Sequence, residues 1–255
     1  MSAAIRLVLD VRDCEGHFPD HPIVPGVVLL ARAGAALAAC GIPSALHGIR
    51  HARLRQRVAP DDTIWLEARS AGERIRVELK RSGLLVADAE FEVGPPRTSP
   101  NDAFEAWRGH AGRPLDLDAL LPHRPPMRWL RNIVDESDEG IVCTASICRA
   151  CALAATGNAP AIAAVEAAAQ AAALWEALRR SRASGEMVPR MGYLVSMRDV
   201  EWFEPGIEAE KTFIVSATLT ASIGMLTQYA IRAAHRDSTL LRGTIGTMLV
   251  TQAEG

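Results

Sequence analysis

Two α+β units in tandem, each a long buried helix wrapped by antiparallel strands, are the architecture that this 255-residue sequence predicts. Three observations predict it. Two Ala-rich apolar stretches, each opened by a proline, recur along the chain. Strand-like segments stand before and after each stretch in the same order. A segment rich in turn formers separates the two sets.

In the first set, Ile5–Val11 reads as the leading strand. The helix is Pro25-Gly-Val-Val-Leu-Leu-Ala-Arg-Ala-Gly-Ala-Ala-Leu-Ala-Ala. Proline at the first helical position sacrifices no helical hydrogen bond, and Ala and Leu favour helix. Apolar side chains run almost all round it, so it is expected to be buried. Ile49–Val58, Thr63–Ala68, Ile75–Lys80 and Leu84–Val93 follow as strands, with partial alternation at Val77, Leu79 and through Val86, Ala87, Ala89 and Phe91. In the second set, Gly140–Ile147 leads. The helix is Pro160-Ala-Ile-Ala-Ala-Val-Glu-Ala-Ala-Ala-Gln-Ala-Ala-Ala-Leu, and the strands are Gly192–Trp202, Glu208–Thr218, Met225–Ala233 and Thr239–Thr251. Turns fall at matching places, Ala59-Pro-Asp-Asp and Glu204-Pro-Gly. Gly94-Pro-Pro-Arg-Thr-Ser-Pro-Asn-Asp reads as a linker, with a short helix expected at Ala103–Gly112. The chain therefore divides into an N-terminal unit 1–94, a linker 95–115 and a C-terminal unit 116–255.

Composition excludes several function classes. A formal net charge of −2 supports neither nucleic-acid binding nor a polybasic membrane anchor. The 26 Arg against 2 Lys, with abundant Ala, fit a GC-rich bacterial genome. No basic segment followed by an apolar one opens the chain, so no secretory signal is expected. The longest charge-free apolar runs, at 26–31 and 167–175, fall short of the roughly 20 residues that a spanning helix needs. The five cysteines, Cys14, Cys40, Cys143, Cys148 and Cys151, are odd in number and irregular in spacing, unlike a disulfide framework. Cys148-x-x-Cys151 has no second pair to complete a zinc site. A cytoplasmic chain with free thiols and no metal is the expectation.

The chemistry concentrates in Gly16-His17-Phe18-Pro19-Asp20-His21-Pro22-Ile23-Val24-Pro25-Gly26-Val27. Its prolines stiffen the approach to the first helix and hold His17 near the helix N-terminus. Backbone N–H groups there are unpaired and carry the positive end of the helix dipole. Gly26 lets a substrate come close to that backbone. A histidine beside such an oxyanion site suits proton abstraction next to a thioester carbonyl.

This segment resembles the active-site loop and helix start of the hotdog 3-hydroxyacyl-carrier-protein dehydratases. Their motif, Gly-His-Phe-Pro-x-x-Pro-x-x-Pro-Gly-Val, is present at every fixed position. The resemblance implies a double hotdog paired as a pseudo-dimer, with His17 as base and the Gly26 and Val27 backbone, presented by Pro25, at the thioester oxygen. His21 falls in a variable slot and reads as surface. The family also places an acid on the central helix, six residues after the motif's last proline. That position is Ala31 in the first half and, counted from Pro160, Glu166 in the second. The base position, eight before the same proline, is His17 in the first half and Ala152 in the second. Since the family's site spans two hotdogs, the two losses are complementary. One complete site, His17 with Glu166, is implied, beside one empty pair, Ala152 with Ala31.

Glu166 also stands out without the family. It is the only charge between Pro160 and Trp175. Burying a carboxylate among alanines is costly unless it is neutral or paired, and desolvation should raise its pKa, as a general acid requires. The competing reading is a helix face turned to water, as Glu176, Arg179, Arg180 and Arg182 mark further on. Gln170, one turn along, is placed to support Glu166. Leu120-Leu121-Pro122-His123-Arg124-Pro125-Pro126-Met127 resembles the entry segment of these dehydratases, although Arg128-Trp129-Leu130-Arg131-Asn132 departs from the family's pattern after it. His123 and Arg124 read as structural. Pro189-Arg190-Met191-Gly192-Tyr193-Leu194, continuing to Arg198-Asp199-Val200-Glu201, resembles the partner subunit of aryl-polyene-type dehydratases. Arg32, alone on the first helix, reads as paired or snorkelling. Arg53, Arg55 and Arg57 share a strand face that is either solvated or a dock for an acidic carrier and its phosphopantetheine.

The expected activity is dehydration of 3-hydroxyacyl thioesters on an acyl carrier protein to trans-2-enoyl thioesters, in fatty-acid-like or polyene biosynthesis. His17 takes the C2 proton and Glu166 protonates the leaving hydroxyl. No cofactor is implied, because the substrate brings its own pantetheine arm. Glu rather than Asp at 166 leans towards dehydration without isomerisation. Partners are the carrier and its acyl thioester, with a homo-oligomer of pseudo-dimers left open. Alternative readings are a hotdog acyl-thioesterase, which leaves the His-Phe-Pro motif unexplained, and a non-catalytic carrier-binding subunit of a synthase.

Overall fold

The computed structural model describes residues 3–42, 46–95, 97–100, 112–114, 116–185, 188–235 and 238–250. Most of the expected linker, and all but the last residue of the short helix expected within it, lie outside them.

In the first half, β1 (Ala3–Leu7) leads through a 3-10 turn (Val11–Asp13) to α1 (Gly26–Ala39). The strands β2 (Leu46–Leu54), β3 (Ile64–Ala71), β4 (Arg74–Arg81) and β5 (Leu84–Val93) follow. The second half carries β6 (Arg113–Pro114), β7 (Leu130–Glu136), β8 (Gly140–Ser146), a 3-10 turn (Ala152–Ala154), β9 (Asn158–Pro160) and α2 (Ala163–Ser184). It closes with β10 (Gly192–Trp202), β11 (Gly206–Glu208), β12 (Thr212–Ile223), β13 (Leu226–His235) and β14 (Ser238–Leu249). Twelve strands form one sheet in the order β1-β3-β4-β5-β2-β10-β14-β13-β12-β8-β7-β6, and β9 pairs with β11 apart from it. Every pairing in the sheet is antiparallel. The sheet is a double hotdog. Its two halves meet where β2 pairs with β10, Ala52 opposite Met197 and Ile49 opposite Val200.

The helices sit inside this sheet. α1 buries Val27, Val28, Leu29, Leu30, Ala33 and Leu37, and touches β1 and α2. Leu30 and Leu37 are almost wholly covered, each contributing roughly 2 kcal/mol relative to exposure. α2 lies on β7, β8, β12, β13 and β14, and its alanines allow close approach on nearly every side. Gly41, at φ +71°, closes α1 through N–H bonds from Gly41 to Ala38 and from Ile42 to Leu37. Gly185, also at +71°, caps α2 on Ser181.

Several expectations shift. β1 ends at Leu7, because the chain turns into the 3-10 turn before Val11. Pro25 occupies the cap position rather than the first helical one. Pro160 belongs to β9, three residues before α2 starts, and a turn through Ala161 and Ile162 fills the gap. α2 runs on to Ser184, well past the alanine run. β7 was not expected. The segment that departs from the family pattern pairs with β8, anchored by the buried Trp129. Among the described residues no helix is long and apolar enough to cross a membrane.

Candidate active site

His17 is fixed by its own loop. The buried Asp13 accepts hydrogen bonds from Arg32 Nε (3.0 Å) and NH2 (2.6 Å), tying the loop to α1 and giving Arg32 its paired reading. The His17 N–H donates to the Cys14 carbonyl, and Val24 N–H to the Val58 carbonyl. Phe18 takes φ +53°, a conformation few non-glycine residues adopt, and its ring stacks on His17 at 4.0 Å. His17 Nδ1 lies 3.0 Å from the Ile23 carbonyl oxygen. A carbonyl only accepts, so Nδ1 carries the ring proton and Nε2 keeps a free lone pair. His21 is exposed, as read.

Glu166 stands in the first turn of α2 and is only 4% exposed, which excludes the water-facing reading. Gln170 Nε2 donates to its Oε1 at 3.0 Å and to the Met127 carbonyl at 2.8 Å, while Gln170 Oε1 accepts from the Trp129 N–H. Gln170 thus bonds Glu166 at the i+4 spacing and also fastens the start of β7. A second group reaches the same oxygen: His123 Nε2 lies 3.4 Å from Glu166 Oε1.

His123 is brought there by contacts between the halves. The Arg124 N–H donates to the Gly16 carbonyl at 2.8 Å. Gly16 sits at φ +79°, and a Cβ on it would stand 2.2 Å from the Arg124 carbonyl oxygen, so only glycine permits this approach. The Arg124 guanidinium donates to the carbonyls of Leu121, His123 and Asp118, holding the segment rigid.

These groups converge on one cavity of about 240 Å³, lined by His17, Gly26, His123, Glu166 and Gln170 among others. Ligand-type atoms of His17, His123 and Glu166 lie within 4.8 Å of one another, and all three residues are buried. Cys148 and Cys151 are free thiols and not part of this group. Val27 and Pro25 are buried, and of the three only Gly26 lines the cavity. Ala31 and Ala152 do not line it. The arginines separate. Arg55 and Arg57 lie beyond the end of β2 and reach the cavity rim, where Arg55 pairs with Asp88 at 2.6 Å and Arg57 stands over the Tyr193 ring at 5.8 Å. Arg53 stays on β2 and does not reach the cavity.

The electrostatics differ from the sequence expectation. Burial lowers the pKa of His17 to about 4, against the attraction of Glu166, so its imidazole is neutral near pH 7. For Glu166, desolvation raises the pKa as expected. The hydrogen bond from His123, the charges of His17 and His123, and the Gln170 hydrogen bond outweigh it and hold the carboxyl below the usual range. The isolation read from the alanine run is local to α2: its histidine partners come from two other segments. His123, read from the sequence as structural, lines the cavity beside Glu166. The available signal was a histidine held between Pro122 and the Pro125-Pro126 pair, the same proline-stiffened setting that singled out His17.

Known proteins match both halves. Residues 115–254 match the ApeP-like family model, ApeP dehydratase, and residues 1–87 the ApeI-like model, ApeI dehydratase. A 3-hydroxyacyl-(acyl-carrier-protein) dehydratase FabZ of Protochlamydia amoebophila is 36% identical over 89 residues, 30% of this chain and 58% of that one. The chain spans about half the length of the curated relatives it matches. Among solved structures, the dehydratase heterocomplex ApeI:P from Xenorhabdus doucetiae aligns with a TM-score of 0.50 at 22% identity, covering 56% of this chain and 95% of that one. The dehydratase domain of PpsC from Mycobacterium tuberculosis, in complex with C12:1-CoA, aligns with a TM-score of 0.68 at 15% identity, covering 98% and 94%. At these identities the structures speak for the fold.

Proposed function

Because the chain belongs to the ApeP-like dehydratase family, we propose that it dehydrates 3-hydroxyacyl thioesters carried on an acyl carrier protein to trans-2-enoyl thioesters. The observation that carries this reading is the convergence of His17, from the first half, and Glu166, from the second, on one buried cavity. The free Nε2 of His17 takes a proton from C2 of the acyl chain. The Gly26 N–H, at the unpaired N-terminus of α1, meets the thioester oxygen as negative charge develops there, with the Val27 N–H beside it. The Glu166 side of the cavity supplies the proton that turns the 3-hydroxyl into water. The substrate's pantetheine arm brings the thioester, and the chemistry requires no further cofactor. Arg55 and Arg57 at the cavity, with Arg53 exposed on β2, support carrier docking.

Incubation with a 3-hydroxyacyl carrier thioester tests the reading. Growth of enoyl-thioester absorbance without release of free thiol is the expected result. Release of thiol identifies a thioesterase instead, and neither signal identifies a non-catalytic subunit.

A further inference from the structure

The proposed elimination leaves one proton unexplained. His17 enters the reaction neutral, and Glu166 is held as a carboxylate by its neighbours. A carboxylate orients a hydroxyl but has no proton to give it as it departs. The group in contact with Glu166 that can carry one is His123, whose Nε2 lies 3.4 Å from Glu166 Oε1. The side chain of His123 is only 7% exposed and lines the cavity. Its Nδ1 is buried and has no hydrogen-bond partner. A fully structural histidine at this depth would have both ring nitrogens satisfied. This ring engages through one nitrogen, aimed at the carboxylate.

We propose that His123 and Glu166 work as one acid, a diad sharing a single proton between Nε2 of His123 and the Glu166 carboxylate and passing it to the 3-hydroxyl as that group leaves. The inference rests on the dehydratase reading and deepens it. His123 acts through Glu166 and is a positioning residue. Glu166 Oε1, held by His123 and Gln170, is the oxygen on which the shared proton sits and from which the 3-hydroxyl takes it. In the reaction the C2–H bond breaks, its proton goes to His17 Nε2, and its electron pair becomes the C2–C3 double bond. The C3–O bond breaks with its pair to oxygen, and oxygen takes the diad's proton to leave as water. The proton held by His17 then returns to the diad across the cavity. The cycle closes with no outside acid.

The groups facing the diad are few. His17 comes from the loop before α1, and Gln170 from α2. Cys151, from the turn before β9, faces it as a neutral thiol, pushed up by burial to about 11. Further along the cavity stands Glu176, bonded to Tyr229 and paired with Arg180. Arg124, next in sequence to His123, donates to backbone carbonyls. Two nearby groups that titrate together share their proton and have pair properties, which makes the arrangement measurable.

The experiment compares wild type with His123→Gln, which keeps a donor towards Glu166 and cannot hold the extra proton. The expected result is a kcat about 10²-fold lower at pH 8, with KM within about twofold and the basic limb of the pH profile moved to lower pH. An unchanged pH profile overturns the proposal. Imidazole 15N NMR of wild type and Glu166→Gln supplies a readout independent of turnover and of the fold of the His123 variant. The shared proton should give a downfield His123 Nε2–H signal in wild type that Glu166→Gln loses, and identical His123 signals in the two proteins also overturn the diad. A wild type that produces no enoyl thioester refutes the dehydratase reading, and the NMR comparison then judges the diad alone.

Discussion

The Nδ1 atom of His17 lies 3.0 Å from the carbonyl oxygen of Ile23, six residues on in the same loop. This one contact fixes the tautomer, with the ring proton on Nδ1 and Nε2 left unprotonated. Replacing His17 by Ala should lower dehydration by about 10²–10⁴-fold, the usual contribution of a positioned base. The fold should survive, because Asp13, Arg32 and the prolines still hold the loop. Steady-state turnover with circular dichroism on the same preparation checks this, and near-normal turnover refutes the assignment. His21→Ala, at an exposed position, should be mild by comparison.

Acid should destabilise the protein in two overlapping windows. Burial depresses His17 from 6.5 to about 4, so between these values the unfolded chain binds a proton that the folded state refuses. Stability is therefore fully present above pH 6.5 and is lost as pH falls to about 4, by up to roughly 3 kcal/mol. Glu166 is also depressed, so its contribution is present above the ordinary carboxylate range and is lost below it. Urea denaturation from pH 7 to pH 4 should show the fall, and His17→Gln should flatten its upper part. Equal slopes for wild type and variant would contradict the depressed base.

Gly16→Ala should damage the site without touching a reacting group. The new Cβ would meet the Arg124 carbonyl oxygen at 2.2 Å, on a backbone already at φ +79°. Strain of about 1–3 kcal/mol is the expectation, relieved by moving the His17 loop away from the segment that carries His123. Thermal melts should show the loss of stability. Activity should fall further than the melt explains, because the same shift separates His17 from Glu166. Unchanged activity in a destabilised Gly16→Ala protein would mean that the contact with Arg124 does not position the base.

Much of this site was legible in the sequence, for local reasons. The prolines from Pro19 to Pro25 constrain a short loop, so the placement of His17 at a helix N-terminus follows from nearby residues alone. Glu166 was legible because a single charge in an alanine run is conspicuous whatever its surroundings. What could not be read was the company Glu166 keeps. His123 meets it only after the segment before β7 packs onto α2 through Trp129 and Met127, and no periodicity encodes that contact. The sign of the Glu166 shift failed for the same reason: desolvation follows from the helix's own composition, whereas the opposing hydrogen bonds belong to the tertiary structure. β7 was missed because Arg131, Asn132, Asp135 and Glu136 break up its apolar pattern, and it exists through pairing with β8.

The composite site predicts how two crippled full-length proteins behave together. His17 and Glu166 belong to different halves of one chain, and the halves are joined by backbone hydrogen bonding between β2 and β10, with registers running from Gly48 opposite Glu201 to Arg53 opposite Ser196. α1 also packs directly on α2, and a single apolar cluster spans both halves. Exchange of halves between chains would require all of these contacts to open together. A protein carrying His17→Ala lacks the proposed base, and one carrying Glu166→Gln the proposed acid. Mixed in equal amounts, they should remain as inactive as each alone. If the site were instead built between chains, random pairing would place an intact His17 beside an intact Glu166 in about a quarter of the sites, and activity would recover to that level. Assaying the mixture over hours, at concentrations spanning two decades, separates the outcomes. Recovery that grows with concentration would show that the working unit is a pair of chains, and a flat baseline that each chain builds its own site.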